Sequence, residues 1–384
     1  MRVAMVNFAA GGHHVVYERD IAETLRRSGH EAFAVGPLEW TSALAAVATP
    51  VRVDLPPIAR RWRRRNAQFK QFISACFAAC ATAGVDVIHL MYLDGFIEAV
   101  ARAGLPQRVA VVGTLHWYPF LGMSMRRPRQ WIKSWYTRSG LAWLARRGMH
   151  LVVHSEHAAR YLRSRGVLQV TALHYPNSGD MRAAPPEVRG QVRAELGVGA
   201  GEYLLLCFGG TRFDKGVDLA IEALSEASPN CRLLVAGEPH HFDAASLRSL
   251  TARHRVEDRV LLRLEHIRNE AIPGLFAAAD VVLLPYRPMF TGQSGPLVMA
   301  AALGRPVIAA DVPVLTETLT RFGLGHLFRA GDAHDLARAL RAAPPELSPA
   351  ASRSLAEAAD PKRFAGAMLG VYGQACSASK APAK

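Results

Sequence analysis

The sequence predicts an α/β protein with two Rossmann-like domains, each built on a doubly wound parallel sheet. Apolar strand-like runs alternate with helical patterns along the chain, which is the order expected of successive βα units. The 384 residues exceed the usual size of one hydrophobic core, and the 50% hydrophobic content is sufficient for two. We therefore expect two parallel sheets, each covered by helices.

The first series of strands and helices occupies the N-terminal half. Buried strands are predicted at MRVAMVNF, EAFAVGP, DVIHL, RVAVVGTLH and LVVHSE, and helices at 20–28 and 68–82. The polar, proline-bearing segment MRAAPPEVRG marks a boundary near residues 180–190, and the second series begins at Tyr203. We expect domains over residues 1–182 and 190–358, a helix over 360–376 and a disordered tail over 377–384.

The segment from Val281 to Asp311, VVLLPYRPMFTGQSGPLVMAAALGRPVIAAD, joins two apolar strands through a small-residue turn and a helix. Ser294 and Gly295 come directly before Pro296, a residue favoured in the first turn of a helix. The free amides of that turn and the helix dipole favour a phosphate or diphosphate, and Ser294 adds a hydroxyl donor. The alternative is an ordinary strand, loop and helix whose serine only caps the helix.

A second strand-to-helix junction, LLLCFGGTRFDKGVDLAIEAL, starts at Leu204. Its strand ends in a turn at Gly209 and Gly210, and Arg212 and Lys215 follow in the loop. Two cations at this junction are well placed to neutralise a diphosphate from the side opposite the helix amides. The alternative is a pair of solvent-exposed charges.

Together these motifs resemble a known family. The segments FGGTRFDKGVDLAIEAL, CRLLVAGE, AADVVLLPYR and SGPLVMAAALGRPVIAADVPVLTE are similar to the nucleotide-sugar-binding half of the retaining glycosyltransferases of the GT-B fold, family 4. The other half of that fold resembles MRVAMVNFAAGGHHVVYERDIAETLRRSGHEAFAV, VVGTLHWYPF, LVVHSEHAARYL and HYPNSGD. The resemblance implies two facing domains with a cleft between them, and a final helix that crosses back onto the first domain. It also implies sugar transfer from a nucleoside-diphosphate donor to a hydroxyl acceptor.

The resemblance implies roles for individual residues. His116 matches a histidine near the transferred sugar, where it would bond a sugar hydroxyl or polarise the acceptor; alternatively it caps a strand end. Arg212 and Lys215 would act with the helix start to stabilise the departing diphosphate. In the front-face mechanism that the resemblance implies, this phosphate helps deprotonate the acceptor, so no protein nucleophile is needed. No DxD-like loop is present, and we expect no metal or other cofactor. The predicted donor-binding residues are Gly11, Gly12, Gly210, Ile267, Thr291, Ser294, Gly295 and Pro296.

One departure from the family concerns two glutamates that lie eight positions apart around the donor-binding helix. Here those positions hold Thr291 and Met299. A threonine can bond a sugar hydroxyl, but a methionine cannot accept from a ribose diol. Either another residue supplies the ribose contact, or the donor is held by its diphosphate and base, or catalysis has been lost. A non-catalytic scaffold or partner subunit is therefore a second hypothesis, and a nucleotide-sugar epimerase of related fold a third.

The net charge of +14 is concentrated in the first domain, at ARRWRRR (59–65) and in the tryptophan- and arginine-rich stretch 125–148. This pattern favours peripheral contact with an anionic membrane, and with it a glycan or lipid-linked acceptor. A solvated basic face is the alternative, and no nucleic acid is expected because no recognised module is present. Five cysteines without metal spacing, no signal-peptide pattern and no membrane-spanning run favour a cytoplasmic protein.

Overall fold

The chain divides into two units in the computed structural model, which describes residues 1–8, 14–57, 62–118, 121, 128–177, 183–342 and 345–380. The first unit combines Met1–Gly179 with Asp360–Lys384, and the second is Asp180–Ala359. Each unit has one parallel sheet, so the predicted fold class is confirmed.

Strands of the first unit are β1 (Arg2–Val6), β2 (Glu31–Gly36), β3 (Thr49–Arg52), β4 (Val87–Leu90), β5 (Ala110–Leu115), β6 (His150–Val153) and β7 (Val170–Ala172). Strands of the second unit are β8 (Tyr203–Phe208), β9 (Cys231–Ala236), β10 (Val260–Arg263), β11 (Val281–Leu284), β12 (Val307–Ala310) and β13 (Gly325–Phe328). The strand orders are β3-β2-β1-β4-β5-β6-β7 and β10-β9-β8-β11-β12-β13, with parallel pairing throughout the described strands.

The helices cover both faces of the sheets, as parallel strands require. They are α1 (His14–Arg27), α2 (Leu38–Ala43), α3 (Trp62–Thr82), α4 (Ile97–Ala103), α5 (Pro128–Arg146), α6 (Glu156–Arg163), α7 (Pro186–Glu195), α8 (Val217–Leu224), α9 (Ala244–His254), α10 (Ile272–Ala278), α11 (Gly295–Ala302), α12 (Pro313–Phe322), α13 (Ala333–Arg341), α14 (Pro349–Ala358) and α15 (Pro361–Lys380). Side-chain caps at the helix starts come from Ser155, Asp243, Ser294, Asp332 and Ser348.

The last helix, α15, belongs to the first unit and packs against α1. Its apolar face joins the core of that unit, and the hydroxyl of Tyr372 lies 2.8 Å from Nδ1 of His89 in β4. Burial lowers the pKa of His89 to about 3, so the imidazole is neutral and bonds Thr114 through Nε2 at 2.7 Å. The helix continues to Lys380, and the prediction of disorder from residue 377 is wrong for 377–380. Residues 381–384 lie outside the described residues.

The boundary between the units falls earlier than the sequence suggests, because the charged segment after residue 182 is helix α7 of the second unit. Arg193, which is only 7% exposed, donates to Asp280 Oδ2 at 3.1 Å and to the carbonyl oxygens of Ala278, Gly199 and Glu202. Arg189 also bonds Asp280, at 2.6 Å. These arginines attach α7 to the sheet, whereas in the sequence they resemble linker residues.

Strands β3 and β7 were not among the predicted strands of the first half. Each lies at an edge of its sheet and is only four or three residues long, so neither carries a long apolar run. The helices predicted at 20–28 and 68–82 begin earlier, at His14 and Trp62. The start of α3 is hidden by its arginine-rich first turn.

Gly216 closes the loop between β8 and α8 with a left-handed backbone, φ 64°. A Cβ at this position would overlap the carbonyl oxygen of Pro285, which follows β11. Only a glycine allows the two strand ends to approach this closely. Gly323, at the end of α12, has the same φ of 64°, but open space surrounds its Cβ position.

We expect Gly216→Ala to destabilise the second unit more than Gly323→Ala does. The left-handed backbone alone costs about 1–2 kcal/mol in Gly323→Ala, and the added overlap with Pro285 raises the loss to about 2–5 kcal/mol in Gly216→Ala. Urea unfolding of both variants and the wild type measures the difference. Equal losses in the two variants would contradict the close approach at Pro285.

Candidate functional site

The predicted anion-binding residues of the second unit lie on two loops that follow neighbouring strands. Strands β8 and β11 pair in parallel at the point where the strand order of the sheet reverses. Right-handed crossovers then place α8 and α11 on opposite faces of the sheet, which opens a crevice at the carboxyl ends of the two strands. Residues 209–216 and 285–295 form the two sides of this crevice.

Lys215 lies at the centre of this crevice. Its Nζ is 2.6 Å from the position that a Cβ of Gly209 would occupy, and 5.8 Å from the centre of the Tyr286 ring. The ammonium has no hydrogen-bond or ion-pair partner within the part of the chain that the structure describes. Burial and the neighbouring Arg212 lower the pKa of Lys215 to about 8. A desolvated cation beside a second cation is a favourable place for an anion.

Arg212 is held by a carboxylate of its own loop, which the sequence did not indicate. Its Nε and Nη2 donate to Asp214 at 2.9 and 2.6 Å. The guanidinium is therefore oriented and its charge partly neutralised, while it still lowers the pKa of Lys215. Arg287 supports the same loop. It donates to the carbonyl oxygen of Phe213 at 2.8 Å and to Oδ2 of Asp218 at 2.6 Å.

Helix α11 starts on the other side of the crevice. Ser294 caps it by accepting from the amide of Leu297 at 3.3 Å, and its Oγ lies 3.0 Å from the hydroxyl of Tyr286. Ser294 thus caps the helix, which was the alternative to a role in anion binding. It also links the helix start to Tyr286, the tyrosine beside Lys215. Gly295 begins the helix with open space at its Cβ position, and Cγ of Pro296 lies 4.0 Å from the Cβ position of Gly209.

The two positions at which the resemblance leads us to expect glutamates lie on α11 and on the loop before it. Thr291 is buried, with 7% of its surface exposed. Met299 lies on α11 and is partly exposed. Neither side chain carries a charge that could hold a ribose or a sugar hydroxyl.

The loop after β9 packs directly on the loop after β8. A Cβ on Gly210 would overlap the imidazole of His240, and one on Gly237 would overlap the carbonyl oxygen of Gly209. Ile267 is buried, and its neighbour His266 bonds Glu238 Oε1 through Nδ1 at 2.7 Å. Gly210 and Ile267 therefore belong to the carboxyl-end surface of β8, β9 and β10, next to the crevice.

His116 of the first unit is buried at the end of β5 and is only 4% exposed. Its Nε2 lies 3.1 Å from the hydroxyl of Tyr17, its ring stacks on Tyr92 at 4.6 Å, and Asp94 Oδ2 accepts from its backbone amide at 2.9 Å. The sequence identified His116 but not Tyr17, Tyr92 or Asp94. Asp94 follows the apolar run of β4, and this position at a parallel strand end was the available signal.

His154 lies beside His116, with 5.1 Å between the ring centres. Its Nδ1 donates to the carbonyl oxygen of Leu173 at 3.2 Å, and its Nε2 is buried without a hydrogen-bond partner among the described residues. Burial, together with His116, lowers the pKa of His154, so the ring is neutral with a lone pair on Nε2. Predicted donor residues Gly11 and Gly12 lie outside the described residues.

No group of three or more His, Cys, Asp or Glu side chains that could hold a metal ion occurs within the described ranges. The expectation that the reaction needs no metal or cofactor stays a prediction.

Comparisons with known proteins identify relatives of both halves of the chain. A family model described as Glycosyltransferase Family 4 matches residues 11–174, and one described as Glycosyl transferases group 1 matches residues 202–343. The lipopolysaccharide core biosynthesis mannosyltransferase LpsB of Rhizobium meliloti is 30% identical over 207 residues, which are 52% of this chain and 54% of LpsB. The D-inositol 3-phosphate glycosyltransferase of Nocardia farcinica is 30% identical over 44% of this chain and 38% of its own length. The match thus spans about half the length of these relatives or less.

Solved structures match the fold over nearly the whole chain. Sucrose-phosphate synthase from Thermosynechococcus elongatus has a TM-score of 0.77 at 19% identity, covering 98% of this chain and 100% of that one. Anabaena Alr3699/HepE, solved in complex with UDP, has a TM-score of 0.73 at 17% identity, covering 97% and 100%. With two parallel-sheet units, two consecutive family matches and this structural likeness, the chain belongs to the family 4 (group 1) glycosyltransferases of the GT-B fold.

Proposed function

We propose that the protein transfers a sugar from a nucleoside-diphosphate donor to a hydroxyl of a glycan or lipid-linked acceptor, with retention of the anomeric configuration. The observation that carries this proposal is the partly buried ammonium of Lys215, which makes no hydrogen bond or ion pair with the described residues and lies beside Arg212. A diphosphate supplies the charge that this crevice lacks.

The crevice stabilises the charge that develops as the donor reacts. When the bond between the anomeric carbon and the diphosphate oxygen breaks, the electron pair leaves with the diphosphate, which gains negative charge. Lys215, Arg212 and the first-turn amides of α11 are in place before this happens, so little reorganisation is needed. The acceptor oxygen bonds the anomeric carbon from the same face, and its proton passes to a departing phosphate oxygen. No protein nucleophile is required.

The relatives support the substrate classes. LpsB is named for mannosyl transfer in lipopolysaccharide core synthesis, and HepE was solved with UDP, with UDP and glucose, and with UDP-glucose. The name of LpsB agrees with a glycan acceptor, and the HepE complexes agree with a nucleotide-sugar donor. The binding test uses uridine nucleotides, as in HepE, and guanosine nucleotides as a second base.

A non-catalytic role is the second candidate, and the observation that favours it is the pair Thr291 and Met299. Thr291 offers the sugar a hydroxyl in place of a carboxylate, and Met299 offers the ribose no hydrogen-bond acceptor of comparable strength. A scaffold, however, has no use for an unpaired ammonium in a crevice, so the two candidates differ in whether nucleotides bind.

Calorimetric titration with UDP, GDP and their sugar conjugates tests the donor site. We expect the wild type to bind one base class, and Lys215→Ala and Arg212→Ala to bind it about tenfold or more weakly, since each removes a charge-assisted contact. Arg253→Ala, an exposed arginine on α9, is the matched control and should bind as the wild type does. If no conjugate binds to the folded wild type, the transferase proposal fails and the scaffold replaces it.

NMR of the product formed from the conjugate that binds tests retention of the anomeric configuration. An inverted anomer contradicts the front-face mechanism.

The pKa of Lys215 predicts a pH dependence of nucleotide affinity. A bound diphosphate raises that pKa, so binding is strongest below the free protein's value of about 8 and weakens as the pH rises through it, by up to about tenfold per pH unit. Lys215→Arg keeps its charge in this range and should show a flat profile. Titrations of GDP or UDP from about pH 7 to about pH 9 measure both. A flat wild-type profile would mean that Lys215 does not contact the ligand.

The basic face of the first unit supports membrane contact. Helix α4 packs against both α3 and α5, so the three share one face of the sheet. Arg64 and Arg65 on α3 and Arg146 on α5 are exposed, as is 48% of Trp135. Trp143 is instead covered by Arg147, whose guanidinium lies 4.2 Å from its ring centre.

No helix in the described ranges is both long enough and apolar enough to cross a bilayer. We propose a peripheral role at the cytoplasmic membrane face, where a lipid-linked acceptor would be available.

Vesicle co-sedimentation tests this face. The double variant Arg64→Gln/Arg65→Gln should bind vesicles of anionic phospholipid about tenfold more weakly than the wild type, because each arginine is attracted to the headgroups. Arg248→Gln/Arg253→Gln on α9 removes the same charge from the second unit and is the control. Equal binding by wild type and both variants would contradict a specific basic face, and equal weakening in both variants would indicate net charge alone.

A further inference from the structure

We propose that Thr211 is a positioning residue that fixes the loop carrying Arg212 and Lys215 against the loop after β9, so that the donor crevice is formed before ligand arrives. The first loop, Gly209–Gly216, is called the cation loop, and the second, Gly237–Asp243, the β9 loop. The inference rests on the proposed function, because it concerns the same crevice.

Thr211 is fully buried and connects the two loops through all of its polar groups. Its Oγ1 accepts from the amide of His240 at 2.9 Å and donates to the carbonyl oxygen of Phe242 at 2.5 Å. Its own amide donates to the carbonyl oxygen of Glu238 at 3.0 Å, and its carbonyl accepts from the amides of His241 and Phe242 at 3.1 Å each. The side chain, amide and carbonyl of Thr211 therefore bond four residues of the β9 loop: Glu238, His240, His241 and Phe242.

The contacts around Thr211 leave little freedom for the cation loop. Gly210 packs on the imidazole of His240, and Gly237 packs on the carbonyl oxygen of Gly209, so that a Cβ would overlap in either place. Between these two contacts the threonine hydroxyl makes the side-chain hydrogen bonds that hold the two loops together. Arg212 follows directly, and its backbone leads into the turn Phe213–Lys215 that aims the ammonium at Gly209.

A loop that is rigid before binding costs less entropy when a ligand engages it. Loss of the hydroxyl removes two hydrogen bonds of Thr211 and leaves its backbone bonds intact, so we expect a folded protein with a looser cation loop. Because Arg212 and Lys215 then have more conformations available, nucleotide affinity should fall although no ligand-contacting residue has changed.

The test compares four proteins by calorimetry with UDP and GDP. Thr211→Val, which is close in shape but lacks the hydroxyl, should bind about tenfold more weakly than the wild type, whereas Thr211→Ser should bind within about twofold of it. Thr251→Val is the structural control: Thr251 is a buried threonine of α9 whose hydroxyl bonds the carbonyl oxygen of Arg248 at 2.8 Å. It should lower the melting temperature without changing nucleotide affinity.

The outcomes separate the two proposals. A folded wild type that binds neither nucleotide contradicts the proposed function. A wild type that binds, together with Thr211→Val that binds equally well, overturns the role of Thr211 alone, as does a serine variant as weak as the valine variant. If Thr211→Val does not fold, hydrogen exchange of the ligand-free wild type decides: the amides of His240, His241 and Phe242 should be protected, and free exchange there overturns the inference.

Discussion

The desolvation of one ammonium group organises the second unit. Lys215 is drawn to the end of β8 by a loop that a left-handed glycine closes against Pro285, and it lies over the Tyr286 ring with no carboxylate as its partner among the described residues. An uncompensated cation is costly in a protein without a ligand. The cost is limited here because the lowered pKa lets Lys215 lose part of its charge, and because Asp214 partly neutralises Arg212.

The first unit differs from the second in the groups that it places at the carboxyl ends of its strands, which are neutral histidines and tyrosines in place of cations. His89, His154 and the tyrosines around His116 are buried in a largely aromatic surround, and burial keeps both His89 and His154 uncharged. Such a surface offers hydrogen bonds without a cationic group, which suits hydroxyl-rich ligands better than phosphates. The second unit thus carries two cations at its switch point, whereas the first unit carries neutral histidines and tyrosines together with the carboxylate of Asp94.

Sequence reasoning identified the elements whose signals are local. The run after β11, with its small residues and Pro296, predicted a helix start, and the structure has one there, capped by Ser294. What it missed depends on side-chain direction or on pairing between distant residues. Asp214 as the partner of Arg212, Tyr286 beneath Lys215, and Asp94 below His116 are brought in by strand order or by side-chain direction, and neither leaves a periodic pattern. The roles of Arg189 and Arg193 in α7 were missed because their shared partner, Asp280, lies more than eighty residues away.

The return of α15 to the first unit has a consequence for how the chain matures during synthesis. The second unit is one continuous stretch, so all of its contacts are available once residue 359 has been made. The first unit, in contrast, leaves the α1 face of its core uncovered and His89 without Tyr372 until the last helix emerges. Although its residues are translated first, this unit is completed last. The growing chain therefore carries an open apolar face throughout the synthesis of the second unit, and this interval is when the protein is most exposed to aggregation.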